Sequence, residues 1–428
     1  MSYISLSDND IQKMLAKIGI SSIEELFNSI PEDIKLNRAL KVPGPLSEPE
    51  VLTYFQKLAK KNSSPDILTF LGAGAYSHLI PSVVDSLSQR GEFVSPYTPY
   101  QPEVSQGTLQ TIFEFQTLIC QLTGLDIANA SLYDGASGAA EAVLMAFRLQ
   151  NKIKILIARS LHPQYKETIR TYVKNLNLSI EEIGYDESGC MNPDELRNSI
   201  DDRTSAVVFQ SPNYFGTIED IRNISEMAHQ KGALSAAVVA EPVSLGLLEA
   251  PGILGADIVT GEAQSFGIPV SFGGPFLGFM SCRKEFIRQF PGRIAGETQD
   301  VEGERGYVLT LSTREQHIRR ERATSNICTN QALCALRATM FLETLGQEGF
   351  KELAWQNLQK AQYAKEQLSQ IKGISIKFKG NTFNEFTCEF STPLDDIKTE
   401  LLGKKIICGY GLENDFPELK NLCRNVCD

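Results

Sequence analysis

The fold class follows from residues 206–240, which read AVVFQSPNYFGTIEDIRNISEMAHQKGALSAAVVA. Two short apolar runs, at 206–209 and 236–240, enclose a segment at 218–230 in which apolar residues recur at helical spacing. Apolar runs without polar alternation are typical of strands buried on both faces, as in a parallel sheet covered by helices. The order strand, helix, strand therefore predicts an α/β unit.

The same alternation continues on both sides of this unit. Further strands are predicted at 154–158, 179–183, 256–260 and 276–281, and helices at 109–124, after residue 138 and at 164–173. We therefore predict one large, doubly wound α/β domain with a mostly parallel sheet over residues 62–310.

The two ends of the chain differ from this domain. Residues 1–61 read as short helices, which we interpret as a helical arm for oligomerisation rather than a catalytic domain. Beyond residue 310, two long helices, two alternating strands and a last helix are predicted at 331–345, 349–368, 374–378, 386–390 and 393–402. Residues 311–428 are therefore predicted to form a helical connection and a small C-terminal α+β domain.

Composition restricts the possible functions. The chain has 428 residues, and 41 basic against 52 acidic side chains give a net charge of −11, which argues against a nucleic-acid-binding or polybasic membrane surface. The sequence contains neither a leader pattern nor an apolar run of about 18 residues. Nine scattered cysteines without a C-x-x-C motif favour free thiols and a cytoplasmic location. The four histidines lack metal-ligand spacing, so we expect no metal site.

A proline-rich loop at 95–107 carries the most unusual group of side chains. Its sequence, SPYTPYQPEVSQG, holds the chain extended and presents Tyr97, Tyr100, Gln101 and Glu103. Such a loop is either functional or a rigid structural crossover.

Three other segments carry candidate groups. A small-residue segment beginning with Asp134 and Gly135 opens a helix whose backbone N–H groups suit a phosphate, although tight helix packing explains it equally well. His162 follows a predicted strand, where it either contacts a ligand or serves a structural role. The charged segment at 313–326 is either a solvated face or an anion site, and on a helix Glu315 and Arg319 would form an ion pair.

Several of these stretches together resemble one family. They are FLGAGAY at 70–76, YTPYQPE at 97–103 with SQG at 105–107, YDGA from 133, TREQHIR at 313–319 and ATSNICT at 323–329. They resemble the P-proteins of the glycine cleavage system, and in particular the first subunit of two-subunit glycine decarboxylases. The resemblance implies the fold of type I pyridoxal-phosphate enzymes. It also implies a lysine-bearing companion subunit 2, glycine as substrate and the lipoyl H-protein as acceptor of the aminomethyl group.

The resemblance places a glutamine where the cofactor needs a lysine. The segment GEAQSFGIP at 261–269 resembles the His-Lys-Thr-Phe-x-Ile-Pro segment of the companion, so Gln264 stands at the Schiff-base position and Ala263 at that of its histidine neighbour. No lysine lies between Lys231 and Lys284, and a glutamine cannot form the imine. The strand at 236–240 also lacks an aspartate for the pyridinium nitrogen, and Glu241 follows it.

We therefore expect the companion to bind pyridoxal phosphate. In this chain, Asp134, Gly135, His162 and Gln264 are expected to line a vestigial pocket, in which His162 matches a ring-stacking histidine of the companion. The loop residues Tyr97, Tyr100, Gln101 and Glu103 are expected to contribute to a shared active site. Two alternatives stay open, a self-sufficient pyridoxal enzyme using another lysine and a non-catalytic scaffold or regulator of the same fold.

Overall fold

A computed structural model describes residues 6–62, 67–94, 98–328 and 330–427. The chain separates into two compact units, Met1–Pro65 and Asp66–Asp428. The domain boundary predicted at residue 61 stays a prediction. The second unit continues through residue 310. The division predicted there stays a prediction.

The N-terminal unit consists of helices α1 (Asp8–Ile18) and α2 (Glu48–Ala59) with a 3₁₀ turn at Ile23–Phe27. Helix α2 starts with a capping box in which Ser47 and Glu50 satisfy each other's backbone N–H groups. Many apolar side chains of this unit are exposed, among them Leu52 and Phe55. Exposed apolar faces of this kind suit a partner surface, and the oligomerisation arm remains a prediction.

The second unit contains the following helices: α3 (Ser82–Ser88), α4 (Gly91–Val94), α5 (Gln106–Thr123), α6 (Gly135–Gln150), α7 (Pro163–Val173), α8 (Pro193–Ser199), α9 (Ile221–Gln230), α10 (Gln316–Arg319), α11 (Ala332–Ser369) and α12 (Leu394–Gly403). Helix α5 stops at Gly124, which adopts the left-handed conformation with φ 69°. Helix α11 is interrupted at Gly346, in agreement with the two helical segments predicted there.

The strands of this unit are β1 (Leu68–Thr69), β2 (Ile127–Ala128), β3 (Lys154–Ala158), β4 (Ser179–Ile183), β5 (Thr204–Gln210), β6 (Leu234–Val239), β7 (Ile258–Glu262), β8 (Gly278–Cys282), β9 (Ile294–Gln299), β10 (Arg305–Thr310), β11 (Ile374–Ile376), β12 (Glu385–Phe390), β13 (Ile406–Ile407), β14 (Tyr410–Gly411) and β15 (Leu422–Val426). None of the described helices is both long enough and apolar enough to cross a bilayer.

The large sheet confirms the predicted fold class. Its seven strands have the order β2-β8-β7-β6-β5-β3-β4. Strands β4, β3, β5, β6 and β7 are parallel, whereas β8 runs antiparallel to β7 and β2 antiparallel to β8. Alternate residues of β5 enter two hydrophobic clusters, Val207 and Phe209 in one, Ala206 and Val208 in the other. Helices therefore cover both faces of the sheet.

Three smaller sheets complete the described part of this unit, the shortest of them the parallel pair of β1 and β13. The C-terminal sheet has the order β11-β12-β15-β14 and is antiparallel. Strands β9 and β10 form an antiparallel hairpin. Neither this hairpin nor strand β15 is predicted from the sequence, and both carry residues of the sites described below.

Candidate functional site

The carboxyl ends of the parallel strands gather the residues expected in the vestigial pocket. His162 begins α7 after β3, Gln264 follows β7, and Asp134 and Gly135 begin α6. Open parallel sheets bind their ligands at this edge. The contacts around each residue show how the space there is used.

Gln264 is buried, and its side-chain amide is used completely. Its Nε2 donates hydrogen bonds to the carbonyl oxygens of Tyr76 at 2.8 Å and Ile268 at 2.6 Å. Its Oε1 accepts the N–H of Tyr76 at 2.9 Å. The amide therefore clamps the backbone of the segment at 70–76, which the sequence analysis singled out, onto the end of β7. A lysine ammonium has donors only and could not accept the Tyr76 N–H.

Glu262 supplies a carboxylate to the start of helix α6. Its Oε2 accepts the N–H of Gly135 at 3.0 Å, and its Oε1 accepts the N–H groups of Leu277 at 2.7 Å and Gln264 at 3.1 Å. Burial raises the pKa of Glu262 to about 7, against the lowering effect of these donors. Glu262 is not predicted from the sequence, since a single glutamate within an apolar strand gives no sign of its distant partner.

Asp134 caps the same helix, its Oδ1 accepting the N–H of Ser137 at 2.7 Å. A Cβ atom at Gly135 would lie 2.3 Å from the Tyr165 hydroxyl, so only glycine fits. The backbone N–H groups that suit a phosphate are thus partnered by carboxylates of this chain. Of the two interpretations of this segment, tight helix packing agrees with these contacts.

His162 is buried and held in one tautomer. Its Nδ1 accepts the N–H of Gln164 at 3.2 Å, so its Nε2 carries the proton and donates to the Ala73 carbonyl oxygen at 2.9 Å. The rings of Tyr165 and Tyr214 lie 5.0 and 4.8 Å away, centroid to centroid, the first stacked and the second edge-on. Burial lowers the pKa of His162 to about 4. Aromatic side chains of this chain therefore pack around the His162 ring.

This depressed pKa predicts an acid sensitivity. The unfolded chain takes up the proton near pH 6.5 and the folded chain near pH 4, so acid favours unfolding between these values. Between pH 7 and pH 5, wild type should lose about 2 kcal/mol more free energy of unfolding than His162→Gln in urea titrations. Glu262 has a raised pKa of about 7 in the folded chain, so its contribution to the free energy of unfolding falls as the pH rises from 4.5 to 7. This contribution is the same in wild type and in His162→Gln, so it cancels in the comparison. Equal pH dependence of the two proteins would contradict a buried, neutral His162.

The acid that follows β6 is also engaged. Glu241 is buried, its Oε2 lies 3.0 Å from His78 Nε2, and its Oε1 accepts the N–H of Val243 at 3.0 Å. Glu241 is the one candidate that the sequence analysis offered for a pyridinium partner, and both carboxylate oxygens already have partners.

A buried ion pair closes the site from the side of the small sheet. Glu385 accepts the N–H of Ala73 at 2.8 Å and the Tyr76 hydroxyl at 2.9 Å, and it also pairs with Arg424. The Arg424 guanidinium is fully buried and lies 4.7 Å from the centre of the Tyr214 ring. Glu385 and Arg424 belong to β12 and β15, and no motif in the sequence pointed to them.

Together these contacts do not fit pyridoxal phosphate. Gln264, which is expected at the Schiff-base position, is a glutamine whose amide is fully used, the helix N–H groups are taken by carboxylates, and Glu241 is paired. His162 packs against tyrosines instead of presenting a free face. The chain thus fills the space at these strand ends with its own side chains, and the vestigial pocket stays a prediction.

The proline-rich loop has different partners. Tyr97 lies outside the described residues, and Gln101 and Glu103 are exposed. The Tyr100 hydroxyl accepts a hydrogen bond from Arg293 Nη2 at 3.0 Å. The Gln106 side chain bonds both backbone groups of Tyr307 on β10, at 2.8 and 2.9 Å. The loop is therefore anchored on the β9–β10 hairpin and lines an open surface cavity of about 650 Å³.

The charged segment at 313–326 does not form the predicted pair of Glu315 with Arg319. Glu315 is the N-cap of the four-residue helix α10, and its backbone carbonyl oxygen accepts the N–H of Arg319 at 3.0 Å, but its carboxylate has other partners. The Glu315 carboxylate instead lies 3.4 Å from Arg293 Nε and 3.6 Å from His317 Nδ1.

Comparisons with known proteins agree on one family. A family model described as the glycine cleavage system P-protein matches residues 1–420. A relative from Desulforamulus reducens, named probable glycine dehydrogenase (decarboxylating) subunit 1, is 49% identical over 420 residues, which cover 98% of this chain and 94% of the relative. A relative of the same name from Desulfitobacterium hafniense is 50% identical over 420 residues with the same coverage.

Solved structures agree with this result. An inhibitor-bound glycine decarboxylase (P-protein) of the glycine cleavage system matches with a TM-score of 0.91 at 40% identity, over 100% of this chain and 95% of that chain. A glutamate decarboxylase from Lactobacillus brevis matches with a TM-score of 0.69 at 13% identity, over 94% of this chain and 92% of that chain. The second likeness shows the fold alone.

Proposed function

Because the chain belongs to the glycine cleavage system P-protein family, we propose that it is the lysine-free subunit 1 of a two-subunit glycine decarboxylase. It has the fold of type I pyridoxal-phosphate enzymes. The observation that supports the proposal is that the Gln264 amide, at the position where the resemblance implies the Schiff-base lysine, clamps the segment at 70–76. A chain built in this way needs a second subunit for the chemistry.

In this proposal the companion subunit 2 binds pyridoxal phosphate, which supplies the electron sink for the decarboxylation of glycine. The remaining aminomethyl group passes to the lipoyl arm of the H-protein, in the cytoplasm. Three features of this chain support such a complex. Its own ligand site is filled, its N-terminal unit exposes apolar side chains, and its proline-rich loop is firmly anchored while its polar tip stays exposed.

The loop is the proposed contribution to the shared active site. Tyr97, Tyr100, Gln101 and Glu103 offer hydroxyl, amide and carboxylate groups, and these can orient a small amino acid without any covalent step in this chain. Asp134, Gly135, His162 and Gln264 have a structural function in this proposal, because they hold the filled site closed.

One alternative is a non-catalytic scaffold or regulator of the same fold, which the filled site also permits. A reconstitution experiment separates the two. We expect the companion subunit to decarboxylate glycine in the presence of H-protein only after this chain is added, with activity saturating as the complex forms. The same titration with His162→Gln, which retains the loop, should give the same maximal rate near pH 7.

Full activity of the companion alone would support the scaffold instead. Activity of this chain alone, with pyridoxal phosphate but without the companion, would contradict the lysine-free assignment.

A further inference from the structure

Four side chains link the proline-rich loop to the charged segment at 313–326. Arg293 Nη2 donates to the Tyr100 hydroxyl at 3.0 Å, and the guanidinium carbon lies 5.3 Å from the centre of the same ring. The Glu315 carboxylate lies 3.4 Å from Arg293 Nε and 3.6 Å from His317 Nδ1. The His317 and Tyr100 rings meet edge-to-face at 6.1 Å, which closes the group.

The centre of this group is buried and its ends are exposed. Arg293 and Glu315 are 6% and 7% exposed, whereas Tyr100 is 56% exposed. A buried arginine paired with a carboxylate is a rigid element, because moving either charge would leave the other uncompensated. The two outer rings are therefore held in fixed positions by a charge pair that solvent does not screen.

The direction of the hydrogen bond shows what Tyr100 can do. Its oxygen accepts the Arg293 N–H, so its own hydrogen remains available to a further acceptor. The guanidinium beside the ring adds positive potential at the same place. A donor with this environment suits an anionic oxygen, such as a carboxylate or phosphate oxygen.

We infer that Arg293 and Glu315 are positioning residues that hold Tyr100, with His317 beside it, to bind an anionic oxygen in the active site completed by the companion. The inference rests on the proposed function and adds the ligand class and the residues that orient the loop. Glycine supplies a carboxylate and pyridoxal phosphate a phosphate, so both sources share the chemistry that Tyr100 would recognise. No sequence motif points to Arg293, which is 193 residues from Tyr100 along the chain.

The test uses the assembled two-subunit enzyme with H-protein. Tyr100→Phe removes only the hydroxyl from an exposed ring, and it should lower kcat/KM for glycine about tenfold to a hundredfold, as expected for a hydrogen bond to a charged group. Arg293→Lys should lower it to a similar degree, and Glu315→Gln should also lower it, because the buried Arg293 guanidinium loses the counter-charge that holds it in place. Tyr363→Phe, on a ring that is 66% exposed on α11, is the matched control and should change nothing.

A double variant distinguishes positioning from general damage. If Arg293 acts through Tyr100, Arg293→Lys should cost less than about threefold in the Tyr100→Phe background, because contacting residues that act as a unit are not additive. A raised KM for glycine with unchanged cofactor affinity would identify the carboxylate as the ligand. A weakened affinity for pyridoxal phosphate would identify the phosphate.

The inference is overturned if Tyr100→Phe retains wild-type kcat/KM, or if the effects of Tyr100→Phe and Arg293→Lys multiply. Thermal melting and complex assembly are measured for each variant. If Arg293→Lys does not fold, the same comparison of single and double variants is made with Tyr100→Phe and Glu315→Gln. Failure of the proposed function looks different, because the wild-type pair itself would then be inactive.

Discussion

Replacing Glu385 with glutamine should lower the free energy of unfolding by about 3–5 kcal/mol, the cost of breaking a buried ion pair by removing one partner. Glutamine keeps the shape of the side chain but leaves the Arg424 guanidinium without its counter-charge. Arg424 is fully buried, and its Nε and Nη1 have no hydrogen-bond partner among the described residues. The remaining Tyr214 ring face cannot compensate a full charge.

The matched control is Glu187→Gln. Glu187 pairs with Lys379 at 3.0 Å, but both side chains are largely exposed. A surface pair of this kind contributes about 0–1 kcal/mol, so urea titrations of the two variants should separate clearly. Equal effects would mean that the Glu385–Arg424 pair does not hold the segment at 70–76 against the small sheet.

Gln264→Lys should destabilise the protein and should not create a cofactor site. The lysine leaves the buried Tyr76 N–H without its acceptor, which alone costs about 1–3 kcal/mol. It also places an ammonium in a buried position, so we expect a total loss of about 3 kcal/mol or more. Because Glu262 and Asp134 still occupy the α6 N–H groups, added pyridoxal phosphate should give no borohydride-reducible band.

Gln121→Lys is the control for this substitution, since Gln121 is exposed on α5. Its stability should stay within about 0.5 kcal/mol of wild type, as for most surface substitutions. A stable Gln264→Lys variant that forms an imine would show that the site is open and only the lysine is missing, which contradicts the filled site described above.

The large sheet could be predicted because its strands are continuous apolar runs. Strands β3, β5, β6 and β7 are central and buried; β3 has the predicted boundaries, and those of the other three shift by one or two residues. The hairpin β9–β10 is not predicted because apolar and polar residues alternate only weakly in it, with a Gly-Glu-Thr-Gln run in β9. Strand β15, which reads LCRNV, is not predicted because it buries an arginine and an asparagine, which are rare in buried strands.

The candidate site was predictable only in part, and for a physical reason. Gln264 could be found because a local motif surrounds it. Glu262 could not, because its function depends on Gly135, 127 residues away in the sequence. Glu385 and Arg424 likewise come together only when β12 and β15 pair. Long-range hydrogen bonds of this kind leave no spacing pattern along the chain.

The most direct test of the central claim is borohydride trapping on the assembled wild-type enzyme with pyridoxal phosphate, followed by mass-spectrometric mapping of both subunits. The lysine-free assignment predicts that the reduced phosphopyridoxyl label appears on the companion alone, and that this chain stays unlabelled whether mixed or separate. Stoichiometric label on any lysine of this chain would contradict the assignment and would make the self-sufficient enzyme the better account.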